Sequence, residues 1–97
     1  MPDTLTHISS TLNYAGFKEA ELKQALPKSA KCPNRKGWFR RGVGGIFVFV
    51  SASAGRTRRL IVDLYDAQGH RACREYCEDA FRAANKAEAM LHLRLTG

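Results

Sequence analysis

Two runs of β-branched and aromatic residues, Ile46-Phe47-Val48-Phe49-Val50 and Leu60-Ile61-Val62-Asp63-Leu64-Tyr65, constrain the fold of this chain more than anything else in it. Such side chains suit a pleated surface, and each run has the length of a strand rather than of a helix. Ala54-Gly55-Arg56 supplies turn chemistry between them, so the runs read as antiparallel neighbours. Alternation then puts Ile46, Val48 and Val50 on one side with Phe47 and Phe49 on the other, and sets Leu60, Val62 and Leu64 against Ile61, Asp63 and Tyr65. The aliphatic sides are expected to face the helices. Trp38 to Arg41 reads as a strand entering this meander, turned by Gly42, Val43, Gly44 and Gly45.

Helical spacing appears on either side of the strands. After Asp3, a good N-cap, Leu5, Ile8, Leu12 and Ala15 recur at helical intervals, and Gly16 follows at the position of a left-handed C-terminal residue. Lys18 to Leu26 consists of strong helix formers and ends at Pro27, which predicts a short second helix. Pro27 to Gly37 has no sustained period and reads as an exposed basic loop. Beyond the Asp66-Ala67-Gln68-Gly69 turn, Cys73, Cys77, Ala80, Ala84, Ala87 and Leu91 suggest one amphipathic helix, with Arg71, Arg74, Glu75, Glu78, Asp79 and Arg82 opposite. The rival reading makes Arg71 to Ala80 a further strand and starts the last helix at Asn85, capped with the help of Glu88. It is set second because it puts Glu75 and Asp79 on the same face as Cys73, Cys77 and Phe81. The expected class is α+β: an antiparallel meander of two to four strands packed against N-terminal helices and a C-terminal helix. Ninety-seven residues with 44% hydrophobic content suit one domain, 1–97, around one core.

The net charge of +7 is unevenly placed. From Leu22 to Val62 there are ten basic residues (Lys23, Lys28, Lys31, Arg35, Lys36, Arg40, Arg41, Arg56, Arg58 and Arg59) and no Asp or Glu. The other 56 residues carry six basic and nine acidic side chains, a net of −3. Clustered cations repel one another unless a counter-charge is recruited, so the middle of the chain is expected to meet a polyanion. Lys28, Lys31, Arg35, Lys36, Arg40, Arg41, Arg56, Arg58 and Arg59 are the candidate phosphate contacts, with Trp38 a candidate stacking platform or, more simply, a core residue. The leading expectation is a small DNA- or RNA-binding protein. The alternative is a non-catalytic inhibitor or regulator, of the kind phages and plasmids encode, that docks on an acidic or nucleic-acid-handling protein complex of its host.

Other classes find less support in the residues. Phe47, Phe49 and Tyr65 on one sheet face are loosely similar to the base-stacking strands of RNA-recognition motifs, but the two signature runs occur in the wrong order and share a tight turn, so no membership follows. A winged-helix arrangement suffers from a turn of only Gly16 and Phe17, and from positive charge that follows the second helix instead of lying on it. His70, Cys73 and Cys77 would share one helix side with Cys32 as a fourth zinc ligand, yet no closely spaced cysteine pair in a turn is present, and neither a metal nor another cofactor is expected. His7, His70, His92, Asp63, Asp66 and the thiols form no catalytic arrangement, and the glycines at 42, 44 and 45 precede a strand where a phosphate loop would need a helix, so no enzyme is expected. Three cysteines with no secretory segment and no long apolar run predict reduced thiols, a cytoplasmic setting and no membrane association. A homodimer built through a strand edge is disfavoured by Arg58 and Arg59 at the start of a strand.

Overall fold

The computed structural model describes residues 5–26, 34–52 and 59–92. In chain order the elements are α1 (Leu5–Tyr14), β1 (Lys18–Glu21), α2 (Leu22–Ala25), β2 (Lys36–Arg41), β3 (Phe47–Ala52), β4 (Leu60–Tyr65), β5 (Arg71–Cys77) and α3 (Ala80–His92), with a 3-10 turn at Val43–Gly45. The strands form one antiparallel sheet in the order β1-β2-β3-β4-β5, so the class is α+β with five strands where two to four were expected. Each strand pairs with its neighbour in sequence, which removes the crossovers of an RNA-recognition motif, and α2 is a single turn, too short for the recognition helix of a winged helix. Gly44 (φ 76°) and Gly45 (φ 85°) take the left-handed conformation that the β2–β3 turn needs.

The two faces of the sheet bury different residues. Val48, Val50, Leu60, Val62 and Leu64 meet Ile8 and Leu12 of α1 and Ala80, Ala83, Ala87 and Met90 of α3 in the main core, with Ala84 and Leu91 half-buried at its border. Alanine on three of the four inward turns of α3 lets the helix lie close to the sheet. Leu12, Val48, Val50 and Val62 are fully buried, each worth about 1.5–3 kcal/mol relative to exposure. The opposite face carries a smaller core of Phe47, Phe49 and Tyr65 beneath Leu22 and Leu26, with the Phe47 and Tyr65 rings stacked at 4.9 Å. Its aromatics are thus packing residues and are unavailable for base stacking.

The predicted second helix is replaced by β1 and a single turn. Gly16 (φ 93°) closes α1, with its N–H on the Asn13 carbonyl at 3.0 Å and the Phe17 N–H on the Leu12 carbonyl at 2.8 Å, so the chain leaves at an angle with Phe17 buried. Lys18–Glu21 then pairs with Phe39–Lys36 and satisfies the outer polar groups of β2. Helix propensity, a few tenths of a kcal/mol per residue, does not compete with an unpaired strand. Glu21 and Gln24 form a reciprocal capping box on α2.

The expected helix from residue 71 is likewise corrected to a strand, β5. Asp66 Oδ1 accepts the N–H groups of Gln68 (3.0 Å) and His70 (2.9 Å), and Gly69 (φ 87°) completes a turn that lays the chain back along β4. Glu75 does share a face with Cys73 and Cys77, but β5 is an edge strand and Glu75 stays exposed. Arg71 stands opposite Tyr65 and Cys73 opposite Leu64, which leaves Ala72 as a bulge. The last helix begins at Ala80 and not at Asn85, because Asp79 caps it: its Oδ1 accepts the Arg82 N–H at 2.7 Å and its carbonyl the Ala83 N–H at 3.0 Å.

Candidate nucleic-acid interface

Strand alternation divides the basic β2 segment between two faces. Lys36, Trp38 and Arg40 lie on the helix side, while Gly37, Phe39 and Arg41 lie on the other. Trp38 is 6% exposed in the main core, and its indole Nε1 donates to Ser9 Oγ at 3.3 Å, so it is not a stacking platform. Arg40 reaches across to Glu88 on α3, whose other oxygen lies 3.2 Å from His92 Nε2. Hydrogen bonds from Arg40 and then His92 hold the Glu88 carboxyl below its ordinary range, and the pair neutralises Arg40 as a phosphate contact. Lys36 lines a cleft of about 510 Å³ with Glu19, Glu21, Gln24 and Trp38. Arg41 is exposed, its guanidinium 5.6 Å from the centre of the Phe39 ring.

Arg35 occupies a buried ionic cluster that residue patterning did not anticipate. Asp63, 0% exposed at the centre of β4, accepts from Arg35 Nη2 at 3.0 Å, from Arg74 Nε at 2.7 Å and from Arg74 Nη2 at 3.2 Å. Arg35 Nη1 also donates to Ser51 Oγ at 3.1 Å, and its guanidinium lies 5.9 Å from the Phe49 ring centre. The hydrogen bond to Asp63 raises the Arg74 pKa further above its usual value, against a smaller opposing effect of burial. No buried side-chain polar atom among the described residues lacks a partner. The available signal was Asp63 itself, since a lone carboxylate inside an apolar strand demands cationic partners.

The strand register brings described residues next to the remaining basic segments to one end of the sheet. Trp38 stands opposite Val50 and Ala52 opposite Leu60, so β2 begins where β3 ends and β4 begins. Lys28, Lys31, Arg56 and Arg58 lie outside the described residues, but residue 34, which follows the first of these segments, and residues 52 and 59, which flank the second, belong to this end. Leu22 N–H on the Arg35 carbonyl (2.7 Å) and Lys23 N–H on Asn34 Oδ1 (3.1 Å) tie α2 to it as well. Three neighbouring strands cover only about 10 Å in the hydrogen-bonding direction. Arg35, Lys36 and an exposed Arg59 therefore lie at this end, whereas Arg40 and Arg41 stand at the far end of β2.

The cysteines do not form the helical cluster that zinc would require. On β5 Cys73 and Cys77 are four residues apart along a strand, about 13 Å. Cys32 lies outside the described residues, and among those described no group of three or more His, Cys, Asp or Glu could hold a metal ion. Burial, with a smaller contribution from Glu75, raises both the Cys73 and Cys77 thiols above their ordinary value. Arg59 precedes a central strand, and the sheet edges are β1 and β5, so the expected defence of an edge by Arg58 and Arg59 does not apply to β4. Among the described residues no helix is long and apolar enough to cross a membrane. No family model matches the chain, nor does any curated protein or solved structure.

Proposed function

We propose that this chain is a non-catalytic, cytoplasmic nucleic-acid-binding protein that engages phosphates with the cationic end of its sheet. One observation carries the reading: strand pairing brings Arg35, Lys36, Ala52 and Arg59 to one end of the sheet, and these are sequence neighbours of the segments that bear Lys28, Lys31, Arg56 and Arg58. Arg35, Lys36 and Arg59 at that end, with Lys28, Lys31, Arg56 and Arg58 close to them in sequence, offer an electrostatic footprint suited to a polyphosphate backbone. Contacts of this type position a protein without selecting a base sequence, so affinity should depend on salt far more than on sequence. Fluorescence anisotropy on random-sequence duplex and single-stranded oligonucleotides at low salt tests this. Binding that is lost when Lys28, Lys31, Arg56 and Arg58 are changed together to Gln supports it, and folded protein that binds neither oligonucleotide rejects it.

A second reading, docking on a protein of a host nucleic-acid-handling complex, is favoured by a separate observation. Tyr14 is 97% exposed, Val43 92% and Phe81 69%, which are large apolar surfaces with no packing role. A stoichiometric partner that survives nuclease treatment, and is lost on changing these three residues to Ser, would favour docking over direct nucleic-acid contact.

A further inference from the structure

We propose that the Arg35–Asp63–Arg74 cluster and the neighbouring Tyr76 ring form a subsite for one unpaired nucleotide, with its phosphate on the two guanidinium groups and its base on the tyrosine. This inference rests on the nucleic-acid reading above and adds the strandedness of the ligand. Asp63 is fully buried and takes up the inner edges of both arginines, while Ser51 takes a further N–H of Arg35. Both arginine side chains remain 30% exposed, so their outer edges meet solvent. The cluster holds two cations against one anion, and its excess positive charge is fixed in place. Because the arginine rotamers are set before any ligand arrives, less conformational entropy is lost on contact with phosphate than at a free surface arginine.

Tyr76 supplies the second half of the site. It lies two residues beyond Arg74 on β5, hence on the same face and about 7 Å further along the strand. It stands opposite the half-buried Ile61 and is 54% exposed. Phe47, Phe49 and Tyr65 on this face are covered, which leaves Tyr76 as the exposed ring beside the arginine pair. An aromatic surface accepts a base only when that base is free of its own neighbours, which selects single strands over duplex. Tyr76, opposite Ile61, lies toward the end of the sheet that holds Ala52 and Arg59.

Anisotropy titrations of the full chain with a labelled single-stranded oligonucleotide and a duplex of equal length provide the test. Tyr76→Ala is expected to weaken single-strand binding about tenfold or more, with Tyr76→Phe restoring it and duplex binding unchanged. Arg74→Lys is expected to weaken single-strand binding as well, and if it does not fold the tyrosine pair decides. Wild-type single-strand affinity in Tyr76→Ala, or equal loss on both ligands, overturns the subsite while leaving phosphate binding by the basic segments standing. Failure of the native chain to bind either oligonucleotide removes the parent reading, and the subsite with it.

Discussion

Asp63 shows how one buried charge organises its surroundings. A carboxylate removed from water is tolerated only when paired and hydrogen-bonded, and here it receives donors from β5 and from the segment leading into β2, on opposite sides of β4. Asp63→Ala removes the anion and leaves two partly exposed guanidinium groups facing each other, which is expected to cost about 3 kcal/mol. A urea titration checks this through the midpoint at unchanged slope, and a shift below about 0.5 kcal/mol would contradict the assigned role. Cys73 and Cys77 give a pH dependence of defined sign. Their folded pKa values lie above the ordinary 9.0, so the stability they contribute is complete below that value and is lost as pH rises through the folded one. Both thiols should therefore alkylate slowly at neutral pH in native protein and readily after unfolding, a difference that peptide-resolved mass spectrometry measures at each site.

Among the elements, those with unambiguous periodicity were legible in the sequence. β4 spans Leu60–Tyr65 as its β-branched run predicts, and Val48, Val50, Val62 and Leu64 face the helices as alternation requires. β5 was not legible, for a geometric reason. Cys73 and Cys77 are four positions apart, and that interval returns to the same face in both a helix and a strand, so the stripe could not choose between them. The turn bonded through Asp66 and the register of Arg74 on Asp63 decide it, and register is visible only in the fold. β1 failed for another reason, since Lys18-Glu19-Ala20-Glu21 has helical composition and becomes a strand only because β2 offers it an edge. In the site, charge counting found the basic segments but not the partners of Arg35 and Arg40, which come from β4, β5 and α3. The start of α3 makes a prediction of its own scale: Asp79→Ala removes the cap on the Arg82 N–H and should cost about 1 kcal/mol, read as a lower thermal midpoint.

The whole molecule separates its charges by role. Arg40 and Arg74 tie elements together, Arg35 does so while keeping an outer edge in solvent, and the cations rooted at one end of the sheet have no such structural duty among the described contacts of Lys36 and Arg59. The meander brings Arg35, Lys36 and Arg59 to one end, and a one-sided positive field is what would orient the protein on a phosphate backbone under the proposed function. The most direct measurement is the dependence of the logarithm of the binding constant on the logarithm of salt concentration for duplex DNA, in the native chain and in the Lys28/Lys31/Arg56/Arg58→Gln variant. A steep negative slope that becomes shallower by roughly 0.9 for each phosphate contact removed is the predicted result. A slope near zero, or the same slope in both proteins with the fold intact by circular dichroism, would contradict it.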